Sequence, residues 1–448
     1  MSEADRSDMK SASGELNRRH LLKYLAAASA GFYAINGLAG SNSERIPHGD
    51  SRAMSIGENE LPDWGELVDL LKPAGKLNDI TVAPGDDQLR MELYRQFIMN
   101  LTLGYFMYFQ LDPEFPDWMP FLNSVFLLQP NPDDVYHIVK VDDDGVYRVQ
   151  GNRGSVRILL FSLGYEIMGT TDRVGGGLGQ LDAEDLHIAA DGSFEFILSA
   201  QKPEGYRGDW WKMPKGAKSL LSRQRSYDWR GEQSASLAIE RLDTPPGTFK
   251  PRMPAAEIAA NLREVLGGYP ERLSRIWLSY QNQALAKMKA NSFEITDFNG
   301  ALPLQAYLQG NYQYAPDQAI VLETAVPSPC RYWNFQVADS LWNAVEVLYR
   351  QSSLNGHQAK LDSDGRFRAV ISLTDPGVPN WLDSGGFTKG MLIGRWFGAK
   401  SFPQPEMKVV KLADLRAHLP ADTPVVTPEA RKQMLSQRIV GGQLRRRW

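Results

Sequence analysis

The chain of 448 residues carries an ordered set of landmarks twice. The first copy reads Pro132-Asp133, Tyr147, Asp191-Gly192, Ser199, Pro203, Trp210-Trp211 and Arg223, and the second reads Pro316-Asp317, Tyr332, Asp364-Gly365, Ser372, Pro376, Trp381 and Arg395. Asp191 precedes Ser199 by 8 residues and Pro203 by 12, and Asp364 precedes Ser372 and Pro376 by the same 8 and 12. This match in order and spacing indicates a duplicated domain. Shared residues are expected to serve the fold, and residues found in one copy become candidates for function.

The middle of the chain alternates short apolar runs with turn sequences. Strands are predicted at 135–141, 146–149, 156–163 and 194–198, where β-branched and aromatic residues cluster. The Asp-Gly pair at Asp191-Gly192 is typical of a tight turn between strands. No alternation of strands with helices occurs, so a parallel sheet is disfavoured. We predict an α+β chain that is mainly β, with two tandem antiparallel β-sandwich lobes of jelly-roll type.

The other segments are assigned from composition and periodicity. Residues 1–60 are predicted to be an export signal and a disordered linker, 61–128 a helical segment, 129–242 the first lobe, 243–310 a Pro-rich linker and helical hairpin, 311–400 the second lobe, and 401–448 an extension with a helix. Thr427 followed by Pro428 is a helix start signal, since Thr caps and Pro suits the first helical position.

The N-terminal region resembles a twin-arginine export signal. Arg18-Arg19 is followed by Leu21-Leu22-Lys23 and then by an Ala- and Gly-rich apolar stretch. That stretch is too short for a convincing membrane span. We expect a periplasmic or exported protein whose partner is the twin-arginine export machinery. The alternative is an amphipathic helix at the start of a cytoplasmic protein.

Composition and motifs exclude several classes of function. The formal net charge of −4 argues against a nucleic-acid partner. Cys330 is the single cysteine, which excludes an intrachain disulfide and a thiolate metal cluster. No nucleotide-binding loop or closely spaced histidine pair occurs. No cofactor is therefore expected, while metal content and oligomeric state remain open.

The second copy contains a polar and aromatic stretch, residues 332–358, for which the first copy shows no counterpart. If 345–351 is a strand, Glu346 and Arg350 share a face and can pair with each other or bind a polar ligand group. His357, in a predicted loop, and Asp375 complete a set of acid–base candidates with Glu346. Predicted ligand-binding residues are Trp333, Gln336, Trp342, Tyr349, Arg350, Asn355, Trp381 and Arg395.

A Pro-rich loop at 375–382 can hold Trp381 at the mouth of a pocket. An aromatic cleft between the two copies would suit an apolar or sugar-like ligand.

Residues 364–396, with YWNFQ and SLNGHQ upstream, resemble the bacterial proteins grouped as domain of unknown function 1214. The first copy resembles them more weakly through the sequence beginning DGSFEF. The resemblance implies β-sandwich lobes of jelly-roll type and frequent export. It implies no reaction and assigns no catalytic residue.

Three hypotheses about function follow. The first is an exported hydrolase or lyase that uses Glu346 or Asp375 with His357 on a small apolar or sugar-like molecule. The second is a periplasmic binding or accessory protein that holds the same ligand without turnover. The third is an envelope structural protein with a large exposed apolar patch.

Overall fold

Two β-lobes with the same strand order follow one another along the chain. The computed structural model describes residues 61–81, 86–121, 130–172, 176–296 and 305–445, with the backbone alone for 283–285 and 296. The predicted export signal and linker at 1–60 lie outside these ranges. The strands form four sheets, two in each lobe, which confirms the predicted fold class.

The first lobe is a sandwich of two sheets. Its strands are β1 Met119–Pro120, β2 Asp134–Lys140, β3 Tyr147–Asn152, β4 Ile158–Gly164, β5 Gly177–Asp182, β6 Ser193–Ser199, β7 Asp209–Lys212, β8 Ser219–Arg225 and β9 Ser236–Arg241. The sheet orders are β1-β2-β8-β4-β5 and β7-β6-β3-β9. Apolar side chains of both sheets share one core, in which the Phe161 and Phe196 rings lie 5.2 Å apart.

The second lobe repeats this arrangement. Its strands are β10 Phe293–Thr296, β11 Gln305–Gln313, β12 Gln318–Ala325, β13 Tyr332–Ala338, β14 Ser353–Asn355, β15 Arg366–Ser372, β16 Trp381–Asp383, β17 Lys389–Phe397 and β18 Glu406–Lys411. The sheet orders are β10-β11-β17-β13-β14 and β16-β15-β12-β18. The Phe335 and Phe367 rings stack across the two sheets with centroids 5.4 Å apart.

Strand connectivity confirms the duplication. Strands β2 to β9 correspond in order to β11 to β18, and each has the same sheet neighbours as its counterpart. Even the parallel pair recurs, as β6–β7 in the first lobe and β15–β16 in the second.

The shared Asp-Gly and Ser landmarks occupy equivalent positions. Gly192 has a φ of 84° and Gly365 a φ of 76°, values that glycine adopts readily because it lacks a Cβ. The Ser199 and Ser372 hydroxyls each donate to the carbonyl two residues further on, at 2.7 and 2.8 Å. These landmarks therefore serve the fold, as the sequence predicted.

The first landmarks of each copy are not equivalent, contrary to the sequence alignment. Asp133 precedes β2, whereas Asp317 precedes β12, the counterpart of β3. Tyr147 lies in β3, whereas Tyr332 lies in β13, the counterpart of β4. The stretch 332–358 does have a counterpart, because β13 and β14 match β4 and β5. Because these landmarks have a similar spacing in both copies, the sequence comparison paired residues that belong to successive strands of the two lobes.

Helices precede, separate and follow the lobes. They are α1 Trp64–Asp69, α2 Asp87–Tyr105, α3 Ala255–Arg263, α4 Tyr269–Lys287 and α5 Pro428–Leu444, with 3-10 turns at Lys72–Ile80, Ala183–Asp185 and Leu412–His418. Between the lobes, α3 and α4 are joined through a π-helical turn at Glu264–Gly268 instead of a loop. As predicted, Thr427 caps α5, its side chain accepting from the Ala430 amide. Within the described ranges, no helix has both the length and the apolar character needed to cross a membrane.

Candidate functional site

The predicted site residues divide into a buried and an exposed group. Trp333, Gln336, Trp342, Asn355, Trp381 and Arg395 expose 0–7% of their surface, whereas Glu346, Tyr349, Arg350, His357 and Asp375 are exposed. The buried side chains are spread over sheet cores, a helix contact and the contact between the lobes. They do not line an open aromatic cleft between the two copies.

Asp133 is the centre of a buried polar network between the lobes. Its carboxylate accepts hydrogen bonds from the Trp229 indole at 2.7 Å, the Asn355 amide at 2.7 Å and the Tyr332 hydroxyl at 2.6 Å. Burial raises the pKa of Asp133, and these hydrogen bonds oppose that shift. Since Asn355 and Tyr332 belong to the second lobe, the carboxylate joins the two lobes.

Arg395 and Gln336 belong to the same contact. The Arg395 guanidinium donates to Gln336 Oε1 at 2.7 Å, and the Gln336 amide donates to the Pro130 carbonyl at 3.1 Å. In the first lobe, the equivalent Arg223 donates to the Ser162 hydroxyl at 2.6 Å. This pairing is common to both lobes, which favours a structural role for Arg395.

A buried ion pair lies beside this network. Arg225 Nε lies 2.6 Å from Asp134 Oδ1, and Arg225 also donates to Gln305 of the second lobe at 2.9 Å. Burial alone would raise the pKa of Asp134, but the Arg225 charge lowers it below its ordinary value. The Arg225 guanidinium also lies 4.3 Å from the centre of the Tyr332 ring. These contacts fix how the lobes pack.

Trp333 and Trp342 pack in apolar surroundings. The Trp333 ring lies in the second-lobe core, 4.9 Å from the Phe367 ring. The Trp342 ring contacts Tyr280 of α4 at 5.1 Å. The backbone of Trp342 has a φ of 66°, which is strained for a residue with a Cβ. Both tryptophans are enclosed by the fold.

Residues 345–351 do not form the strand that would put Glu346 and Arg350 on one face, because residues 347–350 form a bend. Glu346 Oε1 accepts hydrogen bonds from the Leu348 and Tyr349 amides at 2.7 and 3.1 Å, which closes this bend. Arg350 pairs with Asp383 at 2.9 Å instead of with Glu346. The two side chains therefore do not form the predicted pair.

His357 is exposed in the turn after β14, where its backbone amide donates to Asn355 Oδ1 at 3.0 Å. Among the residues described, no three or more His, Cys, Asp or Glu side chains are arranged to hold a metal ion.

A groove of about 880 Å³ lies between α5 and the loop at 375–381. Its apolar lining includes Pro376, Trp381, Val426, Leu435, Ile439 and Val440. Small-molecule sites have volumes of roughly 300–1,000 Å³ and a mostly apolar lining with few polar groups. Tyr349, Asp375 and Trp381 are the predicted site residues that line this groove.

One ion pair lies in the lining of the groove. Arg431 Nε donates to Asp375 Oδ2 at 2.8 Å, and Asp375 Oδ1 accepts from the Gly377 amide at 2.9 Å. The Arg431 guanidinium lies 5.3 Å from the Trp381 ring centre and donates to Gln351 Oε1 at 2.9 Å. Arg431 also donates to Asp375 Oδ1 at 3.2 Å, so both oxygen atoms of Asp375 hold the loop against the helix.

The face of α5 toward the groove is defined by helical spacing. Lys432, Leu435, Ser436, Ile439 and Val440 lie at positions i, i+3, i+4, i+7 and i+8 and line the groove. This groove face of α5 combines one cationic residue with an apolar stripe. It was missed from sequence, although the spacing is visible there.

A second face of α5, which borders the groove at Arg431, docks through arginines spaced seven residues apart. Arg431, Arg438 and Arg445 expose 4%, 9% and 5% of their surface. Arg438 and Arg445 lie 4.5 and 5.1 Å from the centre of the Trp229 ring of the first lobe. Burial lowers the pKa of Arg438 to about 10. The basic end of the chain is therefore buried at Arg445, and residues 446–448 lie outside the described ranges.

A comparison of the lobes shows what α5 adds. The first lobe carries the equivalent loop between β6 and β7, and most of its residues between 201 and 208 are exposed. In the second lobe, α5 covers the loop at 375–381 and forms the groove. The asymmetry between the copies lies at this helix.

The chain is similar to solved structures of uncharacterised proteins. One is a protein from Burkholderia cenocepacia, with 29% identity and a TM-score of 0.72 over 78% of this chain and 97% of that one. Another is a Vibrio parahaemolyticus protein, with 14% identity and a TM-score of 0.42 over 77% of this chain and 100% of that one. No protein-family model and no curated protein matches the chain. The first similarity supports the two-lobed fold.

Proposed function

We propose that this protein binds a small, largely apolar molecule in the groove between α5 and the loop at 375–381. The observation that carries the proposal is the groove, with its volume of about 880 Å³ and its apolar lining. The helix that forms one wall is firmly docked, since Arg431 and Arg438 bond to Gln351 and Ser353 of the second lobe. A rigid wall limits the entropy lost when a ligand binds.

Binding is preferred to catalysis because of how the acid–base candidates are used. Asp375 is paired with Arg431, and Glu346 caps a bend. His357 is not among the residues that line the groove. The hydrolase or lyase hypothesis needs these three groups to act on one substrate, and their contacts support separate structural roles.

Binding of a neutral apolar fluorophore, N-phenyl-1-naphthylamine, tests this proposal. Ser436 lines the groove, so Ser436→Trp fills it. Gln437→Trp is the matched control, because this exposed neighbour on the same helix does not line the groove. We expect the wild type and the control to bind the fluorophore equally and Ser436→Trp to bind at least about tenfold more weakly. Equal binding by all three proteins would contradict the proposal.

We further propose that the protein is exported by the twin-arginine route and belongs with the domain of unknown function 1214 proteins. The Arg18-Arg19 pattern, which lies outside the described residues, supports export, and the sequence of residues 364–396 supports the family assignment. A reporter fused to residues 1–60 should reach the periplasm and stay in the cytoplasm when both arginines become lysine. Export that is indifferent to this change would contradict the route.

A further inference from the structure

We propose that the ligand of the groove is an amphipathic carboxylate whose anionic end contacts Lys432 and whose apolar body lies along Leu435, Ile439 and Val440. This inference rests on the proposed function and adds the chemical class of the ligand. Two observations support it: the positive charge of Lys432 at one end of the groove, and the apolar side chains that follow it along the groove face of α5.

Lys432 provides the uncompensated charge of the groove. Asp375 and Arg431 neutralise each other at 2.8 Å. Among the described residues, no carboxylate oxygen lies within 4.0 Å of the Lys432 ammonium, although Glu429 is three positions earlier on the same helix. The groove therefore has a net positive charge at this end, and an anionic ligand group would be favoured there.

The helix dipole acts in the same direction. Lys432 lies near the N-terminus of α5, and Pro428 at the first position of the helix also lines the groove. The N-terminal end of a helix carries a partial positive charge that favours anions. Helix end and ammonium thus favour a carboxylate at the same end of the groove.

The other end of the groove is apolar. From Lys432 to Val440 the helix rises about 12 Å, at roughly 1.5 Å per residue. Leu435 and Ile439 are half-buried along this path, and Val440 remains 42% exposed. A ligand of about this length, with one anionic end, would cover the stripe and reach Lys432.

Other ligand classes fit less well. A cationic ligand would meet two like charges in the groove, the Lys432 ammonium and the Arg431 guanidinium, and the Trp381 ring already faces that guanidinium at 5.3 Å. A sugar would need several free polar groups, and the groove lining is mostly apolar. The observations therefore favour the amphipathic carboxylate.

Displacement of N-phenyl-1-naphthylamine by decanoate, decanol and decylammonium tests the inference. All three compounds share one apolar chain, and measurements are made below their aggregation concentrations at low salt. For the wild type, we expect the affinity for decanoate, measured by displacement of the fluorophore, to be about tenfold higher than that for decanol. Decylammonium should have the lowest affinity of the three. Lys432→Gln should bring decanoate and decanol to similar affinity, and Lys432→Arg should keep the preference.

Lys400→Gln is the control, because Lys400 is exposed and does not line the groove. An unchanged decanoate-to-decanol ratio in Lys432→Gln would overturn the inference, as would equal affinities in the wild type. In both cases fluorophore binding by the wild type and its loss in Ser436→Trp would leave the proposed function standing. If the wild type does not bind the fluorophore, the proposed function fails and this inference fails with it.

Discussion

Burial sets the chemistry of single carboxylates in this protein, and Asp339 is a clear case. Its side chain accepts hydrogen bonds from the Leu341 and Asn343 amides at 2.8 and 2.9 Å in the turn after β13. Burial nevertheless raises the pKa of Asp339 from its ordinary value to about 6. The folded protein therefore holds a proton on this group more tightly than the unfolded chain does.

Asp339 should make folding stability depend on pH. The stability due to its proton is fully present below about pH 4 and is lost as the pH rises through about 6. The loss is about 2–3 kcal/mol, at roughly 1.4 kcal/mol per pKa unit. Asp339→Asn keeps an acceptor oxygen and does not titrate. In urea unfolding at pH 4 and pH 7.5, the variant should gain stability relative to the wild type at the higher pH. If the stabilities of the wild type and Asp339→Asn change equally between the two pH values, the raised pKa of Asp339 is contradicted.

Residue types were easier to predict than their surroundings. Trp381 and Asp375 were selected from a Pro-rich loop, and they do line a groove, although Trp381 is 7% exposed and Asp375 is paired. Asn355 and Arg395 were selected for their polarity, but they lie in the contact between the lobes. The sequence shows polarity, while burial depends on which sheets meet.

At the scale of elements, α5 is the feature that distinguishes the second lobe. Its docked face includes Gly441 and Gly442, which allow close approach to the lobes. A Cβ on Gly441 would lie 3.1 Å from Trp229 Cβ, and a Cβ on Gly442 would overlap Leu348. Glycine inside a helix lowers stability by roughly 1 kcal/mol relative to alanine. Its presence here is explained by the close contact, which leaves little room for a Cβ.

Gly442→Val should loosen α5 although valine is the better helix former. Overpacking against Leu348 should lower the unfolding free energy by about 1–3 kcal/mol. Hydrogen exchange of the 428–444 amides should accelerate, and fluorophore binding should weaken. Gln437→Val, at an exposed position of the same helix, is the control. If the glycine variant exchanges as slowly as this control, α5 is not held by that contact.

Elements with a strong local pattern were predicted well. The four runs predicted as strands between 135 and 198 correspond to β2, β3, β4 and β6. The apolar alternation at 345–351 is compatible with a strand, but the segment bends because Glu346 accepts hydrogen bonds from local amides. Local side-chain bonds competed with strand formation there.

At the scale of the whole molecule, the lobes form one structural unit through their buried polar contact. Asp133 of the first lobe bonds to Tyr332 and Asn355 of the second, and Arg225 bonds to Gln305. Removing a buried acceptor costs about 1–3 kcal/mol for each uncharged donor that it leaves unsatisfied.

Asp133→Ala should therefore destabilise both lobes together. The buried donors of Trp229, Tyr332 and Asn355 lose this acceptor, and we expect a loss of about 3–5 kcal/mol in unfolding free energy. Asp133→Asn keeps one acceptor oxygen and should lose less. Calorimetry should show a single transition for the wild type. Two separate transitions, of which Asp133→Ala lowers the midpoint temperature of only one, would contradict the claim that the lobes unfold as one unit.

The duplication could be predicted from spacing, but its register could not. Asp191-Gly192 and Asp364-Gly365 form equivalent turns in the two lobes. Asp133 and Asp317, which the sequence comparison paired, precede strands that are one position apart in the strand order. The groove depends on α5 packing over a distant loop, a contact between residues far apart in sequence. No local pattern specifies such a contact.

Photolabelling tests the central claim most directly. A neutral apolar diazirine such as an adamantane diazirine is photolysed with the full-length protein, and labelled peptides are mapped by mass spectrometry. We predict labels in peptides that contain residues 375–381 and 428–440, with label lost in Ser436→Trp and retained in Gln437→Trp. Labels concentrated at the lobe contact around Asn355 and Arg395, with the groove peptides unlabelled, would contradict the account.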